Sequence, residues 1–133
     1  METYIVTVLA KSGHEQQVAD FYVSQADSLK AAPGFEGRSI FQARTGTMLA
    51  AVLAGMTPEE RQKFEDRGHG HGDDQGDDQG EKEDKGTRFI LIEKWATVDE
   101  RMAFAKSGTS QRSADLLPHL LPEHTHEFYE TIG

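Results

Sequence analysis

The chain has 133 residues, no cysteine and a formal net charge of −9. That size fits one domain, the missing cysteine excludes disulfides and thiolate chemistry, and no basic stripe is present to neutralise phosphates, so no nucleic-acid partner is expected. No apolar run approaches the roughly 20 residues of a membrane helix, and the N-terminus enters an apolar strand with no basic leader, so the expectation is a cytoplasmic protein with no membrane partner.

The acidity is local. Glu65 to Gly86 carries nine acids against three bases, a net −6, and the remainder of the chain carries −3.

Tyr4 to Ala10 predicts a strand with apolar residues on both faces, hence a central one. Lys11-Ser-Gly13 is a turn. From His14 to Ala31 the apolar residues Val18, Phe21, Tyr22 and Leu29 form one stripe, which predicts a single helix ended by Ala32-Pro-Gly34. Phe35 to Arg44 alternates, with Phe35, Ser39, Phe41 and Ala43 expected on the buried face.

Residues 45–86 read as an insertion in a single 1–133 domain. Its first part, 48–67, predicts short helices, with Thr57 as an N-cap and Pro58 at the first helical position. The stretch from Gly68 repeats Asp-Asp-Gln-Gly and has almost nothing to bury, so disorder is expected. Without the insertion roughly 90 residues remain, a small core for which a partner subunit is plausible.

Thr87 to Trp95 predicts a strand, wholly apolar from Phe89 to Ile92. Thr97 follows as an N-cap with Glu100 three residues on, so a helix starts beside the chain's single tryptophan. A helix from Ser110 to Leu121, kinked at Pro118, and a last strand from Thr125 to Ile132 complete the chain. The order of strand, helix, strand, insertion, strand, helix, strand is the ferredoxin-like split βαβ plan: α+β, with a four-stranded antiparallel sheet.

Four stretches carry a family resemblance: Tyr4–Gly13, Ala32-Pro-Gly-Phe35, Ile92-Glu-Lys-Trp-Ala-Thr97, and Leu116–Leu121 with Phe128-Tyr129. In order and spacing the chain resembles the antibiotic biosynthesis monooxygenases, dimeric α+β barrels. The resemblance implies a homodimer of face-to-face sheets. It also implies an aromatic-lined pocket for a small aromatic or quinol-like molecule, and oxygenation without cofactor or metal. Chemically, an electron-rich phenolate can itself reduce dioxygen once it is bound, deprotonated and shielded from water. On this resemblance Trp95 is the candidate catalytic residue. Phe21, Phe41, Phe104 and Leu117 are the candidate pocket residues, chosen because their apolar faces meet across sheet and helices.

One position departs from the pattern. Many members carry a histidine nine or ten residues after the tryptophan; here Phe104 and Ala105 stand there, and neither moves a proton or ligates iron. Haem degradation is therefore not expected, and a substitute base must come from elsewhere, such as Tyr4, Tyr22, Tyr129 or His119, none of which its spacing singles out. That absence keeps a second reading open: a non-catalytic ligand-binding or interaction protein, with an insertion that responds to metal.

The histidines are otherwise unpromising. His69 and His71 lie on a glycine-rich backbone that would be costly to order around an ion. His124 and His126 share one strand face and form a loose cluster with His119, expected to be exposed polar positions. No dedicated metal site or cofactor is assigned, and no phosphate loop or nucleophile elbow occurs.

Overall fold

The computed structural model describes residues 1–67, 84–107 and 114–133. Two compact units emerge, Met1–Ala43 with Lys85–Gly133, and Arg44–Asp84. The expected disorder of the acidic repeat falls on residues 68–83, outside the described residues, as does the expected helix start at Ser110.

The first unit is a four-stranded antiparallel sheet. Its strands are β1 (Glu2–Ala10), β2 (Phe35–Gln42), β3 (Thr87–Trp95) and β4 (Leu120–Tyr129), in the spatial order β2-β3-β1-β4. β1 is central, pairing with β3 from Glu2 opposite Trp95 to Ala10 opposite Thr87, and with β4 on its other side. Alternation then fixes what each face does. Val6, Val8 and Ala10 of β1, with Phe89 and Leu91 of β3, are buried in one core with Val18 and Tyr22 from α1 (Glu15–Val23). Leu29 of α2 (Ala26–Ala31), Trp95, and Phe104 of α5 (Val98–Lys106) form a second core at the end of β3. No helix among the described residues is long and apolar enough to cross a membrane.

Three expectations are corrected. The helix expected over 14–31 is two helices, because the chain breaks at Ser24 and Gln25. The Ser24 hydroxyl donates to the Phe21 carbonyl at 2.6 Å, and Gln25 is buried against Arg38. The last strand spans Leu120–Tyr129 rather than 125–132. Of the helix expected over 110–121, residues 114–116 are helical, and a 3₁₀ turn, Leu117–His119, follows with Pro118 in its first turn. Pro122 is tolerated because β4 is an edge strand and its register shifts opposite Val8 to Ala10. Phe41 does not face the helices. Phe35 pairs with Trp95 but Gly37 pairs with Lys94, so Glu36 is an extra residue. That bulge inverts the alternation. Arg38 and Ile40 now face the helices, and Phe41 lies on the outer sheet face, 52 % exposed.

The second unit contains α3 (Thr47–Ala54) and α4 (Pro58–Asp66). Thr57 caps α4 with a full capping box: its hydroxyl accepts from the Glu60 N–H, and the Glu60 carboxylate accepts from the Thr57 N–H. At α5 the analogous pair is incomplete. Thr97 accepts from the Glu100 N–H, while the Glu100 carboxylate accepts from the Thr97 hydroxyl.

Candidate functional site

β3 presents Phe89, Leu91, Glu93 and Trp95 to the helices, and all four are buried. A carboxylate in that row needs partners, and Glu93 has two. Its Oε1 accepts from Trp95 Nε1–H at 2.8 Å and from Arg101 Nε–H of α5 at 2.8 Å. The ion pair is nearly dry, with side chains 14 % exposed for Arg101 and 5 % for Glu93. The guanidinium carbon also sits 4.4 Å from the centre of the Tyr4 ring and 5.6 Å from that of Phe104. An arginine so held is a fixed positive charge over aromatic faces.

Tyr4 continues the chain of contacts to β4. Its Oη lies 3.2 Å from His126 Nδ1, and its ring lies 4.7 Å from that of Phe128. His124 and His126 sit opposite Val8 and Val6, so both face the helix side of the sheet, with ring centres 4.9 Å apart.

These groups form the polar edge of a cavity of about 490 Å³ between sheet and helices. Its apolar wall includes Val6, Val8, Phe21, Leu91, Phe104 and Leu117. The size lies within the range of small-molecule pockets, and so does the ratio of many apolar groups to a few converging polar ones.

The environment sets protonation. Burial pulls His126 below the ordinary histidine range; the charges of His124 and Arg101 add to this and Glu93 opposes it. Burial raises Tyr4, with Arg101 opposing. Burial pushes Tyr22 up to about 12. Both phenols therefore hold their protons at neutral pH, while the imidazole sheds its own.

Three of the candidate pocket residues, Phe21, Phe104 and Leu117, line the cavity. Phe41 does not, for the reason of register given above. Trp95 does not either: it has no exposed surface and packs under the cavity, with its ring 5.3 Å from that of Phe35 and 5.6 Å from that of Phe104. Its contact with the site is indirect, through Glu93. Among the substitute bases, Tyr129 faces the outer side beside Thr3, and His119 pairs with His14 rather than with His124 and His126. Sequence reasoning passed over Glu93 and Arg101; His124 and His126 were expected as exposed polar positions, and both are exposed while also bordering the cavity. Glu93 alone left a signal, an acid at a buried period of an otherwise apolar strand.

No protein-family model matches the sequence, and no curated protein matches it. Solved structures do match in fold. A candidate antibiotic biosynthesis monooxygenase from Nitrosomonas europaea is 11 % identical with a TM-score of 0.63, covering 98 % of this chain and 89 % of that one. One from Bordetella bronchiseptica is 15 % identical at a TM-score of 0.58, covering 98 % and 96 %. SnoaB from Streptomyces nogalater, a cofactor-independent oxygenase, is 14 % identical at a TM-score of 0.58, covering 99 % and 94 %. The chain has the fold of the antibiotic biosynthesis monooxygenases. In that fold the cavity just described lies between the sheet and the helices, with its polar edge on β1, β3 and β4.

Proposed function

We propose that the protein is a cofactor-independent monooxygenase for a small aromatic, phenolic or quinol-like molecule bound in the cavity, and that His126 is its general base. The observation that carries this is the imidazole itself. It lies on the cavity wall, is biased toward its neutral form by partial desolvation and neighbouring charge, and is tied to Tyr4 through one nitrogen. With the proton on Nδ1, His126 donates to the Tyr4 phenol oxygen, and the Nε2 lone pair is left for a substrate hydroxyl.

The chemistry balances without an outside reductant. His126 takes the phenolic proton. The phenolate passes one electron to dioxygen, and the resulting pair combines at the activated ring carbon to form a C–O bond. Cleavage of the O–O bond then releases water and leaves a carbonyl, so that a ring methylene and dioxygen yield a ketone and water. All four electrons come from the substrate. Arg101, fixed by Glu93, places positive charge where phenolate and superoxide develop. In this reading Trp95 is a positioning residue, acting through Glu93, and Phe21, Phe104 and Leu117 hold the ring system.

The reading takes the active form to be a cytoplasmic homodimer packed through the outer sheet face, where Phe41 is 52 % exposed. A second reading, ligand binding without turnover, is favoured by the mutual saturation of Glu93 and Arg101. Oxygen uptake by the metal-stripped protein with hydroquinones and anthrone-like phenols separates the two. Turnover that survives stripping, is lost in His126→Asn and is weakened in Trp95→Phe supports the oxygenase. Saturable binding of the same compounds without uptake supports the binder.

A further inference from the structure

Outside the cavity, His14 and His119 bring their Nδ1 atoms to 2.9 Å, with ring centres 5.1 Å apart. At that separation one imidazole donates a ring N–H to the other, and each aims a ring nitrogen at the other. We infer that this pair is a two-nitrogen site for a divalent transition-metal ion, binding Cu²⁺ most tightly and Ni²⁺ and Zn²⁺ less so. Copper takes its nitrogen ligands in a tetragonal plane, and two cis nitrogens at ~2.05 Å from the ion are about 2.9 Å apart. The gap observed is 2.9 Å, but the two nitrogens point at each other across it, so each ring must turn by roughly 45° to aim at one ion.

The backbone has already brought the ligands together. Lys11 N–H donates to the His119 carbonyl at 2.9 Å, His14 N–H donates to the Lys11 carbonyl at 2.9 Å, and Val18 N–H donates to the His14 carbonyl at 3.2 Å. Little ordering is left for the metal to impose. Both side chains are half-buried, so one side stays open to water. Among the described residues no three His, Cys, Asp or Glu converge on one point, so the pair would supply two ligands and solvent the others. His119 lies between Leu117 and Leu120, both in the cavity wall. A bound ion therefore fastens that wall to the start of α1, whatever reaction the cavity performs.

The test is thermal unfolding of the metal-stripped full chain carrying His69→Ala and His71→Ala, with and without CuCl₂. The two ligands are 105 positions apart, so the site exists only in the folded chain. Copper should raise Tm by about 5 °C at concentrations well above Kd. His14→Asn and His119→Asn on that background should each remove at least half of the rise; asparagine is also a favoured N-cap, so α1 is preserved in the first variant. His126→Asn should leave the rise in place. The proposal is overturned by the absence of any rise in the background protein, by a rise that both asparagine variants retain, or by a rise that His126→Asn abolishes.

Discussion

His126 shows how far an ordinary residue is redefined by its surroundings. It stands on the edge strand β4, exposed to solvent on one side. Opposite Val6, beside Tyr4 and His124 and near Arg101, it becomes an imidazole that resists its proton. The sign of the shift gives a prediction. A lowered pKa keeps the proton-accepting form populated to lower pH, so kcat/KM should stay level above the ordinary histidine value of about 6.5 and fall only below it. His126→Asn should lower the rate by about 10²–10⁴-fold and flatten that acid limb. A pH–rate profile with its limb above 6.5, or an unchanged limb in the variant, would remove His126 as the base. Glu93 makes the same point about charge. It is tolerable in a buried row because an indole N–H and a guanidinium meet it at 2.8 Å each.

At the scale of elements, single residues decide where strands and helices end and which way they face. Gly34 turns the chain from α2 into β2 with φ of +85°, and its carbonyl accepts from Ala96 N–H at 2.7 Å. A Cβ there would collide with the Glu100 side chain near the N-terminus of α5. Gly34→Ala therefore combines an unfavourable φ with a clash, and should cost more than about 1 kcal/mol in urea unfolding. A variant within a few tenths of wild type would show that the turn is free to relax. Glu36 was the residue that sequence patterning mishandled. Alternation assumes one residue per pleat, and an inserted residue moves everything after it to the other face. Phe41 faces away from the cavity for that reason alone. The split of the long first helix likewise depends on Gln25, whose side chain is held by Arg38 from a strand that follows it in the chain.

For the whole molecule, the division into units suggests what can be removed. Ala43 N–H donates to the Arg88 carbonyl at 2.8 Å, so the two strands are still paired where Arg44–Asp84 begins and ends. Strands in register can be joined by a short hairpin turn. Replacing residues 44–84 with a Gly-containing turn should leave the far-UV CD and cooperative unfolding of the first unit intact; loss of cooperative unfolding would mean that the second unit is required. Association is the other question at this scale. If the outer sheet face is the homodimer interface, Phe41→Asp should shift sedimentation from dimer to monomer while leaving the core clusters folded. A wild-type monomer, or a variant that remains dimeric, would place the interface elsewhere.

The sequence by itself determined the order of elements, the central position of β1, the apolar stretch of β3 and the stop at Pro33. Each depends on local periodicity or on backbone chemistry that one residue imposes on its neighbours. The tertiary structure decided the rest: that Trp95 lies under the cavity rather than in it, that Phe41 faces outward, that His119 meets His14, and that Tyr4, Glu93, Arg101 and His126 converge. These are meetings of side chains from elements far apart in the chain, and a polar residue's pattern in the sequence is the same whether it faces water or a buried partner. Burial and partnership set its charge, and both exist only once the sheet has brought β1, β3 and β4 side by side.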